Sequence, residues 1–302
     1  MHYLRTGQQG APRKQDVEIA PGDVYFSQSP GERRATGTYY TPEYIVDYIV
    51  RQTVVRGLEE RRAPLEEKLA GWLDEIAETS EVSQTSEVSG LQRTVDEALL
   101  RFVEEQVLTF RTCDPAMGSG HFLVNAAHHI TAFIVETLNM TPWPNAAVDA
   151  DPAAWRRRVA ERCLYGVDIS LMAVELAKLS LWLASVARGK PLSFLDHHLR
   201  QGNSLIGARL ADLATVLSGG QRKPTPKERR AREAGQLSML DDPAFSQHVT
   251  TATDLLEHIS DRVAETVEDV KAQRADYEQV RAELEPYRQL SDLWTARHFG
   301  FY

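Results

Sequence analysis

Apolar residues recur along this chain at helical spacing in most places and in short unbroken runs in three. Residues 1 to 35 show neither pattern; they are polar, with glycine, proline and scattered charge, and read as a lead-in segment. After Thr41-Pro42-Glu43, the apolar positions Tyr44, Ile45, Tyr48 and Ile49 repeat at helical spacing, with Thr41 as the expected N-cap and Pro42 in the first helical position. Residues 57 to 106 read as helical with a break near the middle. There Thr79-Ser80-Glu81-Val82-Ser83 recurs as Thr85-Ser86-Glu87-Val88-Ser89, a polar repeat expected in a surface loop. Val107-Leu108-Thr109-Phe110 is short and apolar and predicts a strand running on to Asp114. A helix follows from Phe122 to Leu138 and ends at Thr141-Pro142-Trp143-Pro144-Asn145. A second strand, from Arg162 to Asp168, leads into a helix from Leu171 to Ala187, and a third strand is expected near Gly202. Strands alternating with helices predict an α/β fold with a parallel sheet. Leu255 to Leu290 is helical and charge-rich, either two antiparallel helices or one long one, and Ser291 to Gly300 continues as helix.

The chemistry concentrates in Thr112-Cys113-Asp114-Pro115-Ala116-Met117-Gly118-Ser119-Gly120-His121-Phe122-Leu123, which joins the first strand to its helix. Gly118 and Gly120 allow a sharp turn and a close ligand. The helix start offers free N–H groups. Asp114 stands at the carboxyl end of a strand, where open α/β sheets bind ligands. A phosphate-binding loop would need Gly-Lys-Ser/Thr, and lysine is absent. A dinucleotide turn would need a third glycine where Leu123 stands. An acid in the turn repels pyrophosphate and suits an ammonium group, such as that of S-adenosylmethionine. Asp168 is a second strand-end acid. It fits either a pair of ribose hydroxyls or the capping of the next helix.

Asp114 to Leu123 resembles motif I of the amino-methyltransferases that modify adenine in DNA, above all the large type IIG restriction–modification methylases. Gly37-Thr38-Tyr39-Tyr40-Thr41-Pro42-Glu43 resembles their motif X, and Gly202-Asn203-Ser204-Leu205 their motif III, although Asp is common there where Asn203 stands. Ala173 to Leu183 is also similar, with its apolar positions read as core. The resemblance implies a partial Rossmann-like class I S-adenosylmethionine-dependent methyltransferase core with added helical segments. It implies S-adenosyl-L-methionine as cofactor, held by Tyr40, Thr41, Asp114, Pro115, Ala116, Gly118, Ser119, Gly120, Phe122, Asp168, Ile169, Asn203, Ser204 and Leu205. In that set Asp114 meets the methionine ammonium, Asp168 the ribose and Asn203 the adenine edge, with Leu205 against the ring. It divides the chain into the lead-in (1–36), the cofactor-binding half of the methyltransferase domain (37–207) and a basic linker with a helical insertion (208–302).

One motif of the family is missing. Adenine methylation uses Asn/Asp-Pro-Pro-Tyr/Phe to hold an extruded base. The nearest string, Asp242-Pro243-Ala244-Phe245, has one proline and lies in a polar, loop-like stretch, so no catalytic residue is assigned. The expectation is one segment of a larger enzyme, a fragment, a disrupted gene or half of a split one, inactive alone. Its partners would be DNA, through separate parts, and a downstream half carrying the missing motif. That half would also cover the outer flank of the first strand, an edge otherwise prone to pairing. A non-catalytic subunit completed in trans is the alternative. A nicotinamide-dependent oxidoreductase is disfavoured by the glycine spacing.

Composition changes little in this picture. The 302 residues are 42% hydrophobic and 25% charged, ordinary for a globular chain. A net charge of −9 argues against a free-standing nucleic-acid binder. The basic run from Gln221 to Arg232 has no interleaved aromatic and reads as a solvated linker rather than a DNA-phosphate patch. Cys113 and Cys163 are expected as two buried, reduced thiols. Asp196, His197 and His198 lack a second cluster at ligand spacing, so no metal is expected. No apolar run reaches membrane-spanning length and no signal-peptide core is present, which points to a cytoplasmic protein away from membranes.

Overall fold

Helix α4, His121–Leu138, is the element around which the others pack. Leu123, Ala126, Ala127, Ile130, Phe133, Ile134 and Leu138 are buried along it, a 3.6-residue repeat that gives the helix a broad apolar stripe. The computed structural model describes residues 41–82, 85–143, 152–186, 189–208, 243–262 and 264–299, all in the compact unit that begins at Thr41. Tyr40, Asp242 and the basic stretch 221–232 lie outside the described residues.

Before α4 come α1 (Glu43–Val50), α2 (Arg56–Val82) and α3 (Thr85–Phe102). Two short π-helical segments, Arg51–Val55 and Val103–Val107, extend α1 and α3. The expected N-cap is corrected: Pro42 holds that position without a side-chain cap, and its carbonyl accepts the Ile45 and Val46 amides. The buried face of α1 is Val46 and Val50, while Tyr44 and Tyr48 are exposed. The polar repeat is corrected as well. Residues 79–82 end α2 and residues 85–89 begin α3 rather than forming an open loop, while Ser83 lies outside the described residues.

Arg62 of α2 is buried and reaches α4. It pairs with Glu66 at 2.8 Å and Glu136 at 3.0 Å, and its guanidinium lies over the Phe133 ring. Two carboxylates and a ring face replace the water that a buried cation loses. His129 of α4 bonds Asp47 of α1 at 2.7 Å.

The sheet is small: β1 (Thr112–Asp114), β2 (Leu164–Asp168) and β3 (Leu199–Gln201), in the order β1-β2-β3 and parallel throughout. Between the strands run α4, α5 (Pro152–Arg162) and α6 (Leu171–Ser185). The first strand starts later than expected. Val107 closes a π-helical segment and Leu108 the turn after it, both buried, so the apolar run fills core as the end of a helix. Cys163 is buried, and its thiol is pushed up to about 12 by burial. Cys113 is exposed, against expectation, because its side chain borders an open cavity at the end of β1. The reading of the α6 apolar run as core holds for half of it. Val174, Ala177 and Leu181 are buried, but Leu176, Leu179 and Leu183 are exposed, since one face alone meets the sheet.

After β3, α7 (Pro243–Asp261) and α8 (Val267–Phe299) form an antiparallel hairpin. Pro243 starts α7, and Phe245 is buried edge-on against Tyr287 at 4.9 Å, so the described part of the rejected string, residues 243–245, is helical rather than loop. The hairpin joins the strand layer through Phe194, Ile259 and Tyr277, which form a second apolar cluster. Gln273 donates to the carbonyls of Ile259 and Arg262. Arg157 of α5, buried, donates to the carbonyls of Pro191 and Ala264 and pairs with Glu161 at 3.0 Å. Among the described residues no helix is long and apolar enough to cross a membrane.

His197 and His198 sit where the hairpin meets the sheet. His198 bonds the Leu164 carbonyl at 2.8 Å and stacks on Tyr165, while His197 stacks on Phe194 with both ring nitrogens unpartnered. Burial pulls His197 down to about 4, with Arg200 adding to it, and pulls His198 down to about 3, with His197 adding to it. Both rings are therefore neutral in the folded chain where the unfolded chain, titrating near ~6.5, takes up protons. Stability is present above that value and is lost as pH falls toward about 4 and then about 3. While both rings titrate in the unfolded chain alone, the expected slope is about 3 kcal/mol per pH unit. Urea midpoints between pH 7 and pH 4 check this, and His197→Phe, which keeps the stacking, should remove about half of the slope.

Candidate functional site

The site is built at the carboxyl ends of β1 and β2. These strands are parallel neighbours in the register Asp114↔Gly166, so Asp114 and Asp168 stand on one edge of the sheet, as expected. The glycine turn lies between them. Gly118 has φ of 53° and Gly120 has φ of 82°, the left-handed region where a Cβ is costly. Gly120 is also the N-cap of α4, and a Cβ on it would lie 3.1 Å from Cα and Cβ of Ala177 in α6. Around Gly118 the same space is open.

Asp114 accepts the Ala116 amide through Oδ1 at 3.0 Å. Its Oδ2 is buried and has no hydrogen-bond partner. Burial pushes this carboxyl above the ordinary aspartate range; the Ala116 amide opposes that rise, and the Asp168 charge adds to it. A buried, half-satisfied carboxylate is costly unless a cation or donor completes it. Asp168 is engaged on both sides, with Oδ2 accepting the Gly118 amide at 2.9 Å and Oδ1 the Ser170 amide at 2.8 Å. Ser170 caps α6, accepting the Ala173 amide. Asp168 is thus a brace between β2, the turn and the next helix, and each oxygen keeps a further lone pair.

The third strand brings up its own residues. Gly202 donates to the Asp168 carbonyl at 2.9 Å, and Gln201 to the Ile169 carbonyl at 3.2 Å. Asn203 and Ser204 follow, both exposed, with Asn203 Oδ1 accepting the Leu205 amide at 3.0 Å. Ile169 is 62% and Leu205 92% exposed, two apolar side chains without cover at the tips of adjacent strands. Pro115, Ala116 and Ser119 are exposed on the turn. Thr41 stands at the head of α1, some way along the chain from Ile49 and Val50, which line a cavity of about 450 Å³. The cavity also takes in Phe110, Cys113, Asp114, Pro115 and Phe122, so three of the expected site residues border it. Among the described residues, no group of three His, Cys, Asp or Glu side chains could hold a metal ion.

Sequence reasoning passed over Met117, Gly166 and Ala177. Met117 is 3% exposed, and its amide donates to the Val167 carbonyl at 3.0 Å. A glycine inside a strand often marks a close approach, and Gly166 carried that signal.

Residues 88–195 match the family model described as MmeI, DNA-methyltransferase domain. The likeness is to the DNA methyltransferases of restriction–modification systems. A Methanocaldococcus jannaschii protein with the provisional name of a type II restriction enzyme and methyltransferase is 30% identical over 194 residues. That alignment takes in 58% of this chain but 15% of the relative, so the chain spans a small part of that protein's length. No solved structure gives a match. The matched stretch 88–195 contains β1, the glycine turn, α4, β2 and α6, which is the part of the fold that carries both acids.

The two glycines should differ in what they tolerate. Gly118→Ala meets left-handed strain alone and should cost ~1 kcal/mol. Gly120→Ala adds the collision with Ala177 and should cost ~2–3 kcal/mol. Urea denaturation of the two variants checks the order, and equal costs would show that the approach to α6 is not a constraint.

Proposed function

We propose that the turn and the three strand ends form the S-adenosylmethionine-binding part of a site-specific DNA adenine-N6 methyltransferase of a restriction–modification system. The observation that carries this reading is the Asp114 carboxylate, buried on one oxygen, unpartnered there, and placed on the same sheet edge as Asp168. The residues present fit such a ligand. Asp114 Oδ2 is an acceptor suited to an ammonium group, and the space around Gly118 is open. Asp168 keeps lone pairs for hydroxyls, and the exposed Ile169 and Leu205 offer apolar surface for a base, with Asn203 beside them. In this reading the sheet and helices amount to a partial Rossmann-like core.

When bound, S-adenosylmethionine supplies an electrophilic methyl group on its sulfonium. This chain's residues bind and orient. Asp114 neutralises the ammonium, Asp168 holds the turn while accepting hydroxyls, and Ile169 and Leu205 exclude water from the base. No residue of this chain is assigned to the acceptor adenine, since the sequence contains no Asn/Asp-Pro-Pro-Tyr/Phe string. Activity therefore requires a polypeptide that carries one, and DNA is engaged through that part.

Titration calorimetry with S-adenosylmethionine tests the binding half of the reading. Asp114→Asn keeps the shape and removes the charge, and should weaken binding by ~1–3 kcal/mol. The wild-type affinity should fall as pH is lowered into the carboxylate range, beginning above the ordinary aspartate value because burial raises the free carboxyl. Asp114→Asn should lose that dependence. Wild-type affinity indistinguishable from that of the variant would remove Asp114 from the site.

The activity half has its own test. Tritium transfer from labelled S-adenosylmethionine to unmodified DNA should be absent with this chain alone. It should appear when a polypeptide carrying Asn-Pro-Pro-Tyr is added. Transfer by the chain alone would show that its own residues hold the base.

A further inference from the structure

Three consecutive residues of β2 meet two consecutive residues of the turn. The Met117 amide donates to the Val167 carbonyl at 3.0 Å, and the Gly118 amide donates to Asp168 Oδ2 at 2.9 Å. The third contact is made by a side chain. Met117 occupies the space that Gly166 leaves empty: a Cβ on Gly166 would overlap Met117 Sδ, and would press on Leu123 Cδ1 at 3.0 Å and Leu199 Cδ2 at 3.3 Å. Gly166 is not among the glycines with positive φ, so its backbone does not ask for glycine. The space does. Leu123 and Leu199 are buried, and Met117 with them, so the sulfur is held in core rather than on the open side of the turn.

We propose that Met117 is a positioning residue of the methyl-donor site, seated in the Gly166 notch so that the Gly118–Gly120 turn keeps its place between Asp114 and Asp168. The inference rests on the turn being that site. Met117 touches no ligand in this scheme; it acts through the turn. An unbranched thioether suits the task, because it can follow a narrow notch that a branched side chain cannot enter. The two amide hydrogen bonds, one to a carbonyl and one to a carboxylate, fix the height of the turn over β2, and the Met117 side chain fixes its depth. Without the side chain the turn can lift while both amides exchange their partners for water. The Gly118 amide would then release Asp168, and the two acids would lose their common frame.

The test uses the full chain in four forms: wild type, Met117→Ala, Gly166→Ala and the double variant. Affinity for S-adenosylmethionine is measured by calorimetry, and protection of the Met117 and Gly118 amides by native-state hydrogen exchange without ligand. Gly166→Ala should weaken binding by at least about tenfold and strip protection from both amides, because the new methyl group expels the sulfur. The Gly202 amide, which bonds the Asp168 carbonyl in the β2–β3 ladder, should stay protected. The double variant should recover both affinity and protection relative to Gly166→Ala, since the alanine methyl then fills the vacated notch. Two packed core residues would also couple, so the site readouts decide: affinity that follows melting temperature alone, or amide protection that does not return in the double variant, would overturn the proposal. If Gly166→Ala does not fold, Met117→Ala against the double variant decides, with better protection in the double variant expected and equal protection overturning the idea. Should the wild type bind no S-adenosylmethionine, the cofactor reading fails, and the exchange data still decide whether Met117 holds the turn.

Discussion

The constraint on which the rest depends is the attachment of the glycine turn to the neighbouring strand. A turn with two left-handed residues has few internal hydrogen bonds, and left alone it would wander. Here it is tied to Gly166, Val167 and Asp168 of β2 in succession. The tie fixes where α4 begins, and α4 is the helix against which α1, α5 and α6 pack. It also fixes the distance between two like charges. Asp114 and Asp168 would separate if free to do so, and the amides of Ala116, Gly118 and Ser170 make their proximity tolerable. The arrangement leaves one carboxylate oxygen of Asp114 unsatisfied, the feature that a stability argument alone would not produce.

Among the described residues, three buried cations join the elements around this centre. Arg62 links α2 to α4, Arg157 links α5 to the hairpin, and Lys178 links α6 to Asp196 at 2.5 Å. Each is a charge removed from water, and each is surrounded by enough acceptors to offset most of that cost. Such contacts specify one geometry, because a carboxylate displaced by an ångström leaves the cation exposed to a low dielectric. The hairpin itself has a modest apolar contact, Phe194, Ile259 and Tyr277. Its seat is defined by directed polar bonds as much as by area.

Much of the centre was legible from residue order. A short apolar run, two spaced glycines and a helical period suffice to place a strand, turn and helix, and the two strand-end acids came out on the same edge. The errors have physical causes. Val107 and Leu108 are as apolar as any strand, and periodicity cannot tell a strand from the last buried turn of a helix. The π-helical segment there adds a residue to the turn and shifts the apolar face, which no simple period anticipates. Cys113 looked like core because strands are usually covered on both faces, but its side chain borders a cavity instead. Within the site, the acids and glycines announce themselves by chemical type. Met117 and Ala177 do not, because what they contribute is fit against Gly166 and Gly120, and fit is a property of pairs distant in sequence.

Besides its pairing with Glu161, the buried Arg157 addresses carbonyl oxygens, at Pro191 and Ala264. Every amino acid presents the same carbonyl. The two hydrogen bonds are thus indifferent to the side chain at either point, provided the main chain follows the same path. The burden of specificity falls on one side only. In evolutionary terms these bonds constrain Arg157 and not the residue types at 191 and 264, although Ala264, 1% exposed, is held small by its own burial.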